Sequence, residues 1–259
     1  MRGYVDFRWG QAHYRASGES GPALVLLHES PQSSDILKWT LPHLGRHLRA
    51  YAFDTPGYGL SDPPPEAQEI PVYAEALLEA IDALGLDRFA LFGSHTGASI
   101  ALRIALEAPD RVSHLIFQGL PAYSPEKRRA RLESWAPPLE LAADGSHFQY
   151  AWDRFRRIWW GEPSLELLTL AVVNMVGNHE RYHWAYNAAF RYDPVPDLPK
   201  LGCPALFLTP EHDLLAEEDQ RASELVPDGR LVLVEGVGGQ LYAREPERFA
   251  RDVVAFVTA

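Results

Sequence analysis

Phe89-Ala90-Leu91-Phe92-Gly93-Ser94-His95-Thr96-Gly97-Ala98-Ser99-Ile100-Ala101-Leu102 decides the fold. Phe89 to Phe92 reads as a short buried strand, and Ala98 to Leu106 places apolar residues at helical spacing. Between them stands a small-x-His-x-small turn. A strand that becomes a helix over so few residues leaves no room for side chains at Gly93 and Gly97. The residue between them is thrust into the open at the helix N-terminus. That residue is His95.

Working outward, Tyr4 to Ala16 alternates about a Gly10 turn, as a first antiparallel hairpin does. Ala23–Leu27 and Ala50–Phe53 are short apolar strands. Val72 to Leu84 has helical periodicity and stops at Gly85, a natural helix end. Strands at Phe89–Phe92, His114–Gln118, Ala205–Leu208 and Leu231–Val234 alternate with helices. That alternation predicts an α/β fold with a mostly parallel central sheet flanked by helices. Ligands of such sheets bind at the carboxyl ends of the strands, where His28, Asp54, His95 and Asp213 fall.

The alternation breaks from Pro121 to Tyr192, which reads as helices only. This predicts a core of residues 1–120 and 193–259 with a helical cap, 121–192, inserted in it. The segment holds Trp135, Trp152, Trp159, Trp160 and Trp184, five of the seven tryptophans. In one of its helices Phe148, Trp152, Phe155 and Trp159 make an apolar stripe. Such a stripe either glues the cap to the core or lines an apolar pocket.

The bulk properties exclude several classes. A net charge of -11, with no basic run longer than Glu126-Lys127-Arg128-Arg129-Ala130-Arg131, argues against nucleic acid or an anionic membrane as partner. No stretch is long enough to span a bilayer, and Met1-Arg2-Gly3-Tyr4-Val5 opens no apolar leader. The single cysteine, Cys203, makes no internal disulfide, and a cytoplasmic location is the expectation. The expected partner is a small molecule, with no metal or cofactor.

Four further stretches extend the pattern around His95. Leu24-Val25-Leu26-Leu27-His28-Glu29-Ser30-Pro31 resembles a strand and H-G-x-P turn. Ala52-Phe53-Asp54-Thr55-Pro56-Gly57-Tyr58-Gly59-Leu60-Ser61-Asp62 resembles a D-x-x-G-x-G-x-S-D turn. Cys203-Pro204 through His212-Asp213 resembles a late strand ending on an acid. Gly236-Val237-Gly238-Gly239-Gln240-Leu241-Tyr242 with Glu245-Pro246-Glu247-Arg248-Phe249 resembles the last loop and helix. With the turn at His95 as a nucleophile elbow, these motifs resemble the α/β-hydrolase family, in order and over nearly the whole chain.

The resemblance implies a Ser-His-Asp triad, and the chain departs from it. The nucleophile position holds His95, the triad-histidine position holds Gly239, and the oxyanion-turn glycine is Glu29. Only the acid, Asp213, is kept. A triad needs a hydroxyl and a base to deprotonate it, so ordinary serine-esterase chemistry is not expected here. The oxyanion donors are backbone amides and do not depend on side chains; the resemblance assigns them to Ser30 and Thr96. His95 at a helix N-terminus, where the dipole disfavours a second positive charge, is expected to be a neutral base. Glu29 either aims its carboxylate at His95 or turns to solvent. Asp213 either contacts His95, through water or substrate, or caps the helix that follows it. Substrate contacts are expected from Trp152, Trp159 and His147 in the cap and from His28.

These residues predict His95 general acid/base cleavage of a small apolar carbonyl compound, hydrolase- or lyase-type, without a covalent serine intermediate. A protein that binds such a ligand without turning it over, as a receptor does, is the alternative.

Overall fold

A computed structural model describes residues 1–259. Strands β1 (Arg2–Phe7) and β2 (Gly10–Ser17) form the opening hairpin, followed by β3 (Ala23–Leu27), a short α1 (Leu41–Leu44) and β4 (Arg49–Phe53). Helix α2 (Ile70–Ala83) precedes β5 (Phe89–Ser94), α3 (Thr96–Glu107) and β6 (Val112–Gln118). Four helices come next: α4 (Pro125–Ser134), α5 (Ser146–Ile158), α6 (Leu165–Gly177) and α7 (Trp184–Arg191). The chain closes with β7 (Ala205–His212), α8 (Ala216–Ser223), β8 (Gly229–Gly238), α9 (Leu241–Arg244) and α10 (Pro246–Val257).

The eight strands make one sheet in the order β1-β2-β4-β3-β5-β6-β7-β8. Strand β2 pairs antiparallel with both β1 and β4, and every other pairing is parallel. The central strands read as unbroken apolar runs because both faces are covered: β3 and β5 are buried at every position. Their side chains alternate between two cores. Val25, Leu27 and Leu91 join Tyr73, Leu77, Ile100 and Leu102 from α2 and α3. Leu24, Leu26 and Phe92 join Phe249 and Val253 from α10 on the other face. Phe92 meets Phe249 edge-on at 4.9 Å, and burying an aromatic of this kind is worth roughly 1.5–3 kcal/mol.

Two strands run longer than their apolar stretches predict. The β7–β8 ladder continues past Leu208 and Val234, through an irregularity between Pro210 and His212, to pair His212 with Gly238. Backbone pairing carries a strand on where the hydrophobic run stops, and it delivers Asp213 to the sheet's carboxyl edge. Helices α4 to α7 lie between β6 and β7. Helix α7 is part of the core packing as well, with Ala185, Ala188 and Ala189 buried beside the α3 residues. No helix is long and apolar enough to cross a membrane.

Candidate active site

The turn after β5 requires its glycines. A Cβ at Gly93 would lie 2.3 Å from the Gly97 carbonyl oxygen, and one at Gly97 would lie 2.4 Å from that of Leu27 in β3. His95 pays the strain, with φ 48° and ψ -109°, a region that bulky side chains rarely occupy. Only one other non-glycine residue has positive φ: Gln240, at 63°. Both flank Glu29, and concentrated backbone strain of this kind points to a functional site.

The His95 ring swings toward β7. Its Nε2 lies 3.0 and 3.1 Å from the two carboxylate oxygens of Asp213, in direct contact. The ring passes over Gly119 (φ +73°), where an added Cβ would come within 2.3 Å of the imidazole Cδ2. Asp213 also accepts the Leu215 N–H at 2.9 Å just before α8. Asp213 thus touches His95 directly instead of through water or substrate, and it holds the turn before α8 without capping that helix, whose N-cap, Leu215, has no side-chain cap.

The other ring nitrogen, Nδ1, stands 3.7 Å from Glu29 Oε2. Glu29 is not turned to solvent: it is 3% exposed, and the Gln240 side-chain amide lies 3.2 Å from both its oxygens. The site is thus a line, Asp213–His95–Glu29. In the Ser-His-Asp arrangement the acid holds Nδ1 and leaves Nε2 to work. Here the acid holds Nε2 and leaves Nδ1.

The charges correct the expectation of a neutral imidazole. Burial alone would push the His95 pKa down, but Asp213 and Glu29 more than reverse this and raise it to about 9. The helix dipole is worth only ~0.3–1 kcal/mol in ordinary settings, less than two buried carboxylates close to the ring. Burial raises the Glu29 pKa, and the neighbouring His95 charge and Gln240 amide oppose that rise. Beneath the site, Asp219 is fully buried. It accepts the Gly119 and Leu120 amides and the Thr209 hydroxyl, and burial lifts its pKa to about 7.

A narrow, mostly apolar pocket opens over this line. Glu29, Ser30, His95 and Thr96 form its floor, and Trp135, Phe155, Ile158, Trp159 and Tyr186 are among its walls. Thr96 opens α3, so its amide has no acceptor within the helix and is free to meet an oxyanion. Ser94 is buried, with its hydroxyl 3.5 Å from that of Tyr242, and Ser99 is buried too. Neither lines the pocket.

Three expected substrate contacts stand off the pocket walls. His28 braces its own loop: the Thr55 N–H donates to Nε2 at 3.0 Å, and Nδ1 lies 2.9 Å from the Glu29 carbonyl. Burial lowers its pKa, keeping it neutral. His147 accepts the Ala142 N–H at 3.1 Å within the cap. Trp152 is half-buried against the core. Of the aromatic stripe, Phe155 and Trp159 line the pocket, whereas Phe148 is half exposed. The stripe therefore serves as glue and as wall at different positions. Gln240, Gly119 and Asp219 were not singled out by sequence; the only visible trace was Gln240 beside the vacant histidine position, where a Cβ at Gly239 would lie 2.9 Å from Asp213 Oδ2.

No group of three or more His, Cys, Asp or Glu side chains is arranged to hold a metal. A buried strand-turn-helix elbow, a late-strand acid beside it and a mostly parallel sheet define a fold class. The chain belongs to the alpha/beta hydrolase fold family, whose model matches residues 22–156. It is 26% identical to the carboxylesterase YbfK of Bacillus subtilis over 98% of this chain and 86% of that protein. It is 30% identical to an uncharacterised hydrolase of Saccharomyces cerevisiae over 42% of this chain, a match that spans only 39% of the yeast protein. In structure it is similar to the enol-lactonase of Burkholderia xenovorans LB400, with a TM-score of 0.83 at 20% identity over 99% of this chain and all of that one.

Proposed function

We propose that this protein hydrolyses a small, largely apolar ester or lactone without forming a serine ester, using Asp213, His95 and Glu29 to move protons. The observation that supports this most is the buried line itself, with Nδ1 of His95 and the Glu29 carboxylate facing each other at 3.7 Å on the floor of an apolar pocket. The names of the similar proteins, a carboxylesterase and an enol-lactonase, agree with the reaction class.

The roles follow from the charges. With its pKa at about 9, His95 is an imidazolium at neutral pH and serves as the acid. Glu29 is the base. Water attacks the carbonyl carbon as Glu29 takes its proton, and the Ser30 and Thr96 amides hold the resulting oxyanion. Collapse of the tetrahedral species breaks the bond to the leaving oxygen, which takes the Nδ1 proton. The proton on Glu29 then passes to Nδ1 and restores the starting state. Asp213 holds the ring by Nε2 throughout.

A panel of short-chain esters and lactones tests the reading. Glu29→Gln and His95→Ala should each lower kcat by roughly 10²–10⁴-fold, the usual contribution of a positioned acid or base, with circular dichroism unchanged. A fluorophosphonate should label no serine. Near-normal turnover by both variants, or a pocket-protected serine adduct, overturns it. Ligand binding with no turnover by the wild type would replace it with the receptor-like alternative.

A further inference from the structure

The sheet has two edges, and the chain treats them differently. At one edge, β1 exposes Arg2 and Asp6, charges of the kind that keep a foreign strand from pairing. Helix α2 packs along it, and Arg8, just past its end, is tied to Glu75 and Glu79 of that helix. At the other edge, β8 pairs only with β7. Leu231, Val232 and Leu233 stand there in succession, 40%, 42% and 41% exposed. Neighbours in a strand point to opposite faces. Leu231 and Leu233 lie with Phe207 on the α2–α3 face, and Val232 lies with Leu208 on the α10 face. Both faces are therefore open at this edge.

The backbone of β8 is half used. The Ala205 N–H donates to the Asp228 carbonyl at 2.9 Å. In a parallel ladder that phase commits the N–H and C=O groups of Arg230, Val232 and Val234 to β7 and turns those of Leu231 and Leu233 outward. An edge of this kind is a template for another strand, and the sequence of β8 fits its own reverse. A two-fold axis through Val232 sets Leu231 opposite Leu233 of a second copy, and Leu233 opposite the copy's Leu231, so the outward backbone groups meet as hydrogen-bonded pairs. Val232 meets its own equivalent on the other face. Every central pair is aliphatic. The flanks agree in charge. Antiparallel pairing brings the Arg230 end of each strand beside the Glu235 end of the other and sets Glu235 opposite Gly229. Parallel pairing would stack Arg230 on Arg230 and Glu235 on Glu235, which is unfavourable.

We propose that this protein associates through β8 with a second copy of itself, the two eight-stranded sheets joining antiparallel across a two-fold axis at Val232 into one continuous sheet.

Sedimentation velocity at about 100 µM, above the micromolar Kd expected of a small strand-to-strand interface, should give twice the 29.0 kDa chain mass. Combining Leu231→Lys with Leu233→Lys sets lysine against lysine across the axis at positions that are already exposed. That variant should sediment as a single chain with unchanged circular dichroism. Leu165→Lys, at a leucine of the cap that is 72% exposed, should remain a dimer. Hydrogen exchange reads the strand itself. The amides at positions 231 and 233 should exchange at least ~10-fold more slowly in the wild type than in the double variant, while those of Val232 and Val234, bonded to β7 in both, change little. A wild type that sediments as a single chain overturns the proposal, and so does a dimer that persists in the folded double variant. Free exchange at positions 231 and 233 in a wild-type dimer overturns it as well, since the contact would then lie on another surface. Should the double variant fail to fold, wild-type exchange compared at about 1 and 100 µM makes the same test.

Discussion

The molecule contains two buried histidine–aspartate pairs at the carboxyl edge of its sheet, and their surroundings differ. In the first, His13 Nδ1 meets Asp54 Oδ2 at 2.7 Å. The remaining capacity of Asp54 is taken by the Ser34 amide at 2.5 Å and the Leu60 amide at 2.8 Å. A Cβ at Gly59 would run into the same carboxylate. Asp54 is the hub of a loop, and its partner ring is 1% exposed and away from the pocket. In the second pair, Asp213 gives one interaction to a loop amide and the rest to His95, whose far nitrogen faces Glu29 and the pocket. Chemical identity does not separate the pairs. What separates them is where the unused side of the imidazole points, and whether the backbone beneath it is strained.

The sharpest way to break this contrast is to remove each acid. Asp213→Asn should lower ester or lactone turnover by on the order of 10²–10⁴-fold while the urea midpoint moves little. Asp54→Ala should do the opposite. Removing the hub leaves buried amides and an imidazole unpaired, a loss of roughly 3–5 kcal/mol by urea unfolding, with near-normal kcat in the fraction that remains folded. If both variants behave alike, the two pairs are not functionally distinct.

A smaller effect is expected where the cap was read as substrate wall. Trp152 packs against the core and does not line the pocket. Trp152→Ala should therefore cost roughly 1–3 kcal/mol of stability and leave ligand affinity unchanged by calorimetry. A loss of affinity without loss of stability would restore it to the pocket.

The smallest effect sharpens the contrast through pH. The folded pKa of His95, about 9, is raised above the ordinary imidazole value of ~6.5. Its pairing therefore stabilises the fold fully below pH ~6.5 and is lost as pH rises through about 9. Asp219, raised by burial from 3.8 to about 7, also disfavours the fold as pH rises. Tm should fall by roughly 2–4 °C, the shift of ~1 kcal/mol in a domain of this size, between pH 6.5 and 9.5. His95→Asn should flatten the upper part of that decline. A wild-type Tm that rises over this range would show that His95 is not held as a cation.

The fold was legible because the elbow, the strand runs and the turn motifs are local patterns. Gly93 and Gly97 announced a collision that the structure bears out. The site was legible in part: His95, Glu29, Asp213, Ser30 and Thr96 do converge. The ionisation of His95 was not, because the helix dipole is a local feature whereas the carboxylates come from positions 29 and 213. His28 and His147 look like ligand contacts to the sequence, but backbone amides that only the folded chain brings near occupy them. Gln240 drew no notice because it matters through its αL backbone.

Gly119 has a consequence for how such a site drifts. The imidazole reaches its acid only by crossing a residue that has no side chain, so even alanine there would wedge the ring away from Asp213. The proposed relay could be disconnected in a descendant that keeps His95, Glu29 and Asp213 unaltered. An inventory of reactive side chains would count that descendant as intact, and its silence would be written in a single methyl group on the neighbouring strand's exit.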